Sequence, residues 1–304
     1  MAPLRVGTRS SALAIAQTRQ VTERLEQAGF HVELVPFETK GDLVLDRALH
    51  QVGGKGLFTA ELEEALLTER VDLAVHSLKD LPTELPDGLV LGAYTLPSDP
   101  RDVLIAADAL PALPSGTNLG TSSLRRAAFL RGLRPDLVVS PVRGNLQTRL
   151  RKWHEGQVDG LVLAAAGVLR LGWEHLIVEY LDPLTVVPAP GQGVLAVECA
   201  AHRTDLARIL ALLNDERAMR GAMAERAVLA QLGGGCQVPL GAYAEWVDGQ
   251  IHLVAQVASL DGGTVIRREA RLKPDEAEAA GRRLGQELRQ AGALALIHET
   301  AEGG

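Results

Sequence analysis

Short apolar segments alternate with amphipathic segments over roughly the first 200 residues, which is the pattern of an α/β fold. The apolar segment Leu4–Thr8 predicts a strand, and the spacing of Ile15, Val21 and Leu25 predicts a helix after it. Further strands are expected at His31–Glu38, Val71–Ser77, Leu89–Thr95, Val103–Ala106, Leu137–Arg143, Gly160–Ala165 and Gly193–Cys199. Helices are expected at Ser11–Ala28, from a Thr59 cap to Arg70, and after Thr121 and Asn145.

The C-terminal region has a different pattern. The turn sequences Asp248-Gly249 and Asp261–Gly263 are strong hairpin signals between alternating segments. They predict a three-stranded antiparallel sheet, followed by a helix that Pro274 opens and that ends near residue 290. The three strands are expected at Leu240–Val247, Ile251–Ser259 and Thr264–Leu272.

Two proline-containing breaks, Ser98–Arg101 and Pro188–Gly191, divide the alternating region. The strand after the second break is placed to return to the first domain, so we expect that domain to comprise residues 1–95 and 193–213. Residues 99–189 are expected to form a second α/β domain, and residues 216–304 a small α+β domain.

An internal echo links the first two domains. Val6–Ser10 and Leu119–Ser123 both lead from a strand through Gly-Thr into a hydroxyl-rich helix start. A helix N-terminus offers unpaired N–H groups and partial positive charge, so two such ends facing across a hinge would form an anion-binding cleft. Two ordinary helix caps remain the alternative.

Composition narrows the function classes. The chain is 46% hydrophobic and 23% charged, and its net charge of −7 argues against a general nucleic-acid or anionic-membrane binder. The start shows no apolar signal region, and the longest apolar stretch, Leu161–Leu169, is too short to span a bilayer. Because neither Cys199 nor Cys236 belongs to a metal-binding pair, we expect free thiols in the cytoplasm and no metal.

Two loops carry candidate chemistry. Val52–Gly56 resembles a phosphate-binding loop, but Leu49 and Gly56 stand where that motif requires Gly and Ser or Thr. Lys55 is therefore expected either on a flexible loop that closes over an anionic ligand or in a simple turn. His76–Pro82 contains the end of the strand Val71–Ser77, and residues just past such an end commonly line a ligand site. The Gly-x-Ser-x-Gly sequence of serine hydrolases is absent, which argues against a hydrolase. Asp80 beside Lys79 is instead suited to stabilising a cationic intermediate, and a surface ion pair is the alternative.

The chain has five lysines against 26 arginines, and several arginines recur just after strands. Guanidinium groups bind carboxylates through paired hydrogen bonds, so converging arginines would indicate a polyanionic ligand. Scattered solvated arginines are the alternative for any one of them. The set is Arg9, Arg125, Arg126, Arg143, Arg149 and Arg170.

Cys236 follows three glycines, Gly233–Gly235, which favours an exposed thiol at a loop tip over a buried structural cysteine. Cys199 lies in an apolar strand pattern and is expected to be buried.

Eight motifs together resemble the porphobilinogen deaminase family, in family order and over residues 8–239. They are Thr8–Ala14, Val52–Phe58, His76–Pro82, Asp99–Asp102, Gly120–Arg126, Arg143–Asn145, Pro190–Gly193 and Gly233–Pro239. The resemblance implies two type II periplasmic-binding-protein-like α/β domains plus a small α+β domain, and a monomer. One departure is Gln51, where many relatives carry lysine, so loop charge is lower here.

The resemblance also implies an activity. Cys236 would carry a dipyrromethane cofactor as a thioether, and four porphobilinogen molecules would be joined to it with loss of ammonia. Hydrolysis would then release hydroxymethylbilane, a precursor of tetrapyrroles and haem. Asp80 would stabilise positive charge on the pyrrole nitrogens and assist proton transfer.

Further site residues follow from the resemblance, since every pyrrole carries an acetate and a propionate. The expected cofactor-binding residues besides Cys236 are Ser11, Lys79, Thr121, Ser123, Arg125, Arg126, Arg143, Asn145 and Gln192. The expected substrate- and oligopyrrole-binding residues are Arg9, Arg143, Arg149, Arg170, Lys55 and Ser77. The main rival is a non-catalytic two-domain anion- or solute-binding protein, which would leave the cysteine loop unexplained.

Overall fold

The computed structural model describes residues 2–39, 41, 59–233 and 238–302. These residues form two compact units. The first unit comprises Met1–Ser98 and Gly193–Met219, and the second comprises Asp99–Gln192 and Arg220–Gly304.

Strands and helices are numbered here in chain order over the described residues. The strands are β1 (Leu4–Arg9), β2 (Val32–Phe37), β3 (Leu73–Ser77), β4 (Leu89–Thr95), β5 (Asp102–Ile105), β6 (Asn118–Gly120), β7 (Val138–Ser140), β8 (Gly160–Ala164), β9 (Glu179–Tyr180), β10 (Leu195–Ala200), β11 (Leu240–Val247), β12 (Gln250–Ala258) and β13 (Val265–Leu272). The helices are α1 (Ala12–Gln27), α2 (Ala60–Leu67), α3 (Leu124–Leu133), α4 (Leu146–His154), α5 (Ala165–Arg170), α6 (Ala207–Leu213), α7 (Glu216–Gln231), α8 (Ala277–Gln290) and α9 (Ala293–Glu302).

The first unit contains a five-stranded sheet in the order β2-β1-β3-β10-β4. Strand β1 is parallel to β2 and β3, whereas β10 is antiparallel to both β3 and β4. Buried Val21 and Leu25 of α1 pack with the sheet residues Leu73 and Val197 in one apolar core. On α2, Leu62, Ala65 and Leu66 are buried as predicted.

The second unit repeats this arrangement in a sheet with the order β7-β6-β8-β5-β9. Strand β6 is parallel to β7 and β8, and β5 is antiparallel to β8 and β9. Strand β1, which contains Gly7, therefore corresponds to strand β6, which ends at Gly120. The echo in sequence reflects the same position in two equivalent sheets.

A separate antiparallel sheet, in the order β11-β12-β13, also lies in the second unit. Its inward residues share an apolar core with α7 and α8 that includes Val228, Leu253 and Leu284. Val254 and Ala258, on the other face of β12, join the core of the five-stranded sheet. Both faces of the central strand are thereby buried.

The sheets confirm the predicted class of two type II periplasmic-binding-protein-like α/β folds plus a small α+β fold. Two local expectations were wrong, and one helix was missed. Strand β7 covers Val138–Ser140 and not the whole of Leu137–Arg143, because Pro141 follows it and has no N–H to continue the pairing. Thr59 occupies the N-cap position of α2 as predicted, although without a capping side-chain hydrogen bond, but α2 ends at Leu67 and not at Arg70. Helix α9 was not predicted.

Among the residues that the structure describes, no helix has the length and apolarity needed to cross a bilayer.

Candidate active site

Several predicted site residues of the first unit lie at one edge of its sheet. Arg9 ends β1 and Ser77 ends β3, and these neighbouring strands are parallel. Because the carboxyl ends of parallel strands meet at the same edge, Arg9 and Ser77 share it with Lys79 and Asp80, which follow β3 directly. Both arginine and lysine can attract an anion at this edge.

Asp80 ends a single 3-10 turn, Leu78–Asp80, whose apolar residues fix its direction. Leu78 and Leu81 are fully buried, and the Leu78 N–H donates to the Val194 carbonyl at 3.0 Å. Lys79 is half-buried and Asp80 is exposed. The turn therefore presents the Asp80 carboxylate to solvent from a backbone that Leu78 and Leu81 hold in place.

Helix α1 starts at the same edge. Ser11 is its N-cap, and the Ser11 hydroxyl accepts a hydrogen bond from the Ala14 N–H at 3.3 Å. The buried Gln17 side chain donates from Nε2 to the Ser77 Oγ at 2.9 Å. The hydroxyl at the end of β3 is thus positioned by the helix that follows β1.

The equivalent helix start in the second unit is α3, with Ser123 as its N-cap. The Ser123 hydroxyl accepts a hydrogen bond from the Arg126 N–H at 3.4 Å, and Thr121 is buried just before it. Each unit therefore has one of the two predicted helix N-termini, at the start of α1 in the first and of α3 in the second. N–H groups of this kind suit carboxylates.

Arg125 and Arg126 lie inside the second unit around Asp102, the first residue of β5. Arg125 Nη2 lies 2.8 Å from Asp102 Oδ2, and Arg126 Nη2 lies 2.8 Å from Oδ1. Asp102 is fully buried, and the arginines are only 3% and 6% exposed. Burial works to raise the pKa of Asp102, but the two guanidinium groups outweigh it and hold the pKa well below its usual range.

Gln192 completes this buried cluster. The Gln192 amide donates to Asp102 Oδ1 at 2.9 Å and to the Pro100 carbonyl at 2.6 Å. Its carbonyl oxygen accepts a hydrogen bond from Arg126 Nη2 at 3.3 Å. One carboxylate therefore serves two cations, and the net positive charge of the cluster favours a further anion.

The turn between β7 and α4, together with the first turn of α4, carries three predicted site residues. Asn145 caps α4 by accepting from the Thr148 N–H at 2.9 Å, and Arg149 Nε donates to the Gly144 carbonyl at 2.8 Å. Arg143 and Arg149 are both half-buried. Gly144 permits this turn, because its φ is positive and a Cβ there would lie 2.6 Å from Thr148 Cγ2.

Arg170 ends the short helix α5, which follows β8. Its side chain is half-buried, and desolvation lowers the pKa of the guanidinium to about 10. A guanidinium in such surroundings gains more from an anionic ligand than a fully solvated one does, because less water screens the pair.

Two predicted site residues, Lys55 and Cys236, lie outside the described residues, as does Gln51. Cys199 is free and buried as expected, and burial raises the pKa of its thiol. Within residues 2–39, 59–233 and 238–302, no histidine, cysteine, aspartate and glutamate cluster is arranged to hold a metal ion.

The buried positions of the Asp102 and Glu225 carboxyl groups were not predicted from sequence. Asp102 begins an apolar strand, and Glu225 falls on the apolar face of α7 with Gly221 and Val228. A charged residue at an apolar position was the available signal, because a buried charge requires a partner.

The equivalent five-stranded sheets of the two units, each with a helix start that a serine caps, define an α/β protein of the type II periplasmic-binding-protein-like class. Two family models match the chain, the porphobilinogen deaminase dipyrromethane cofactor-binding domain over residues 4–208 and the porphobilinogen deaminase C-terminal domain over residues 219–290. The chain belongs to the porphobilinogen deaminase family.

Relatives support this over nearly the whole chain. Porphobilinogen deaminase of Syntrophomonas wolfei is 46% identical over 304 residues, which cover 99% of both chains. The enzyme of the same name from Desulfitobacterium hafniense is 48% identical over 303 residues, covering 98% of both. A periplasmic substrate-binding protein of an ABC transporter from Coxiella burnetii is a distant structural neighbour, with 13% identity, a TM-score of 0.43, and 71% of this chain and 94% of that one covered.

Proposed function

We propose that this protein is a transferase that joins four porphobilinogen molecules, with loss of ammonia, into hydroxymethylbilane. The observation that carries this function is the match to both family domains, over residues 4–208 and 219–290. It places the chain in tetrapyrrole biosynthesis. A non-catalytic solute-binding protein of similar architecture is not favoured, because that reading accounts for neither match.

The cofactor is a dipyrromethane, and we propose that Cys236 binds it as a thioether. When bound, it supplies a nucleophilic pyrrole carbon to which the first substrate is joined. Its acidic side chains suit the guanidinium groups, hydroxyls and capped helix starts at the strand ends. The residues proposed to hold it are Ser11, Lys79, Thr121, Ser123, Arg125, Arg126, Arg143, Asn145 and Gln192.

Asp80 is the proposed catalytic residue. Its exposed carboxylate stands on a turn fixed by Leu78 and Leu81, so it can approach a substrate pyrrole nitrogen without rearrangement of the backbone. As ammonia leaves, positive charge develops on that ring, and a fixed carboxylate lowers the energy of the charged state. The same carboxylate can accept a proton from the nitrogen.

Each added pyrrole brings two carboxylates, so the basic residues must hold a growing negative charge. We propose that Arg9, Arg143, Arg149, Arg170, Lys55 and Ser77 bind the substrate and the oligopyrrole. The lowered pKa of half-buried Arg170 and the fixed turn around Arg149 support this assignment. Three domains of residues 1–95 with 193–213, 99–189 and 216–304, a monomeric state and a cytoplasmic location complete the proposal.

Intact mass measurement tests the proposal. The purified protein should exceed its sequence mass by one dipyrromethane, and C236S should lose both this excess and the activity. C199A, which alters the buried thiol of β10, is the matched control and should retain the excess. Turnover of porphobilinogen by a protein without added mass would contradict the assigned tether.

A further inference from the structure

Glu225 carries a buried carboxyl group that joins two separate segments of the second unit. Glu225 Oε2 accepts a hydrogen bond from the Gly191 N–H at 2.6 Å, and Oε1 accepts one from the Ala244 N–H at 2.8 Å. Gly191 lies in the Pro-Gly-Gln-Gly turn, and Ala244 lies in β11. One side chain on α7 therefore holds both segments.

This attachment leads directly to the arginine cluster. Gly191 has a φ of 77°, and the next residue, Gln192, bonds Asp102 Oδ1 and Arg126. A shift of the Gly191 amide would therefore move the Gln192 side chain relative to Asp102. In the other direction, α7 ends at Gln231, five residues before Cys236.

The surroundings of Glu225 disfavour an ionised carboxyl group. Desolvation raises the pKa of its carboxyl to about 8, although the hydrogen bonds from Gly191 and Ala244 oppose the shift. A buried carboxyl costs stability, and an alanine or leucine would fill an apolar helix face at lower cost. The carboxyl group, unlike alanine or leucine, accepts hydrogen bonds from the Gly191 and Ala244 N–H groups.

We propose that Glu225 is a positioning residue, which holds the Gln192–Asp102–Arg125–Arg126 cluster in a fixed position relative to α7. The inference rests on the proposed function, because this position matters only if Cys236 carries the growing chain and the arginines bind its carboxylates. Glu225 acts through Gly191 and Gln192 and does not itself contact the reacting groups.

Glutamine is the sharpest replacement at this position. It keeps the size and shape of glutamate, but only its single amide oxygen accepts a hydrogen bond, and its NH₂ group would face a backbone N–H. One of the two attachments must therefore be lost. The matched control is E287Q, which makes the same substitution at an exposed position of α8.

The experiment compares wild type, E225Q, E225D and E287Q. Intact mass gives the fraction of molecules that carry the cofactor, and steady-state kinetics give kcat and KM per loaded molecule. We expect E225Q to lose at least tenfold in kcat per loaded molecule, since small misplacements of reacting groups can cost about 10²-fold. KM should change less than kcat, and E287Q should equal wild type.

A merely structural role would lower the loaded fraction and leave kcat per loaded molecule unchanged, and that result in E225Q or E225D would overturn the proposal. Hydrogen exchange on the wild-type protein needs no variant. The amides of Gly191 and Ala244 should exchange slowly, and rapid exchange at Gly191 would also overturn it. Failure of the proposed function is distinct, because wild type itself would then not convert porphobilinogen.

Discussion

Arg125 Nη2 and Asp102 Oδ2 lie 2.8 Å apart in the interior of the second unit, with Arg126 on the other oxygen of the same carboxylate. The pair links the first strand position of β5 to the first turn of α3. Two cations around one buried anion hold the helix start in place and leave a net positive charge next to it.

We expect D102N to destabilise the protein by about 3–5 kcal/mol, because it leaves two buried guanidinium groups without their anion. Denaturant unfolding measures the effect. The control is D136N, which breaks the exposed pair of Asp136 with Arg134 and should change the stability little. Equal effects of the two substitutions would show that the buried cluster contributes no more than a surface pair.

The stability of the protein should fall as pH rises from about 5 to 8 because of Glu225. The pKa of its carboxyl is near 8 in the folded state against an ordinary value of 4.5. Between these values the unfolded chain has lost a proton that the folded protein retains, so ionisation favours unfolding by up to about 1.4 kcal/mol per pH unit. Below the lower value this contribution to the slope vanishes.

Unfolding measurements at several pH values check this, with wild type, E225Q and E287Q in parallel. E225Q lacks the titrating carboxyl, so its unfolding free energy relative to wild type should rise with pH across the window. A difference that stays constant between pH 5 and 8 would contradict the raised pKa.

Asp80→Asn should retain the bound cofactor and lose most turnover. The substitution keeps the shape of the side chain and removes the negative charge that stabilises the developing cation, so kcat should fall roughly 10²–10³-fold. Intact mass and steady-state kinetics measure the two properties separately. D87N alters another exposed carboxylate of the first unit and serves as the control. Full activity of D80N would refute the role of Asp80.

Arg143→Ala should weaken the use of substrate without loss of folding. A charged hydrogen bond contributes about 1.5–3 kcal/mol, so kcat/KM should fall roughly 10- to 100-fold. Arg289, which is exposed at the end of α8, provides the control R289A. If both variants have the same kcat/KM as wild type, Arg143 does not bind an acidic substrate group.

Local chemistry explains what could be predicted from sequence. Helix caps and tight hairpins depend only on neighbours within a few residues, so they could be predicted from the sequence. Examples are the caps at Ser11 and Asn145 and the hairpin at Asp248-Gly249. Strand ends were less certain, as β7 shows. The sequence placed Arg9 and Ser77 each at a strand end, and the parallel pairing of β1 with β3 brings those ends to one edge.

The sequence by itself determined the alternating α/β pattern, the antiparallel tail, the motifs that place an aspartate and recurring arginines after strands, and the thiol that follows three glycines. Only the tertiary structure decided which charges lie together. Arg126 meets Asp102 across 24 positions and Glu225 meets Gly191 across 34, through strand order and helix packing that no local pattern encodes. Burial then makes these long-range pairs consequential, because a charge withdrawn from water depends on the partner that the fold brings to it.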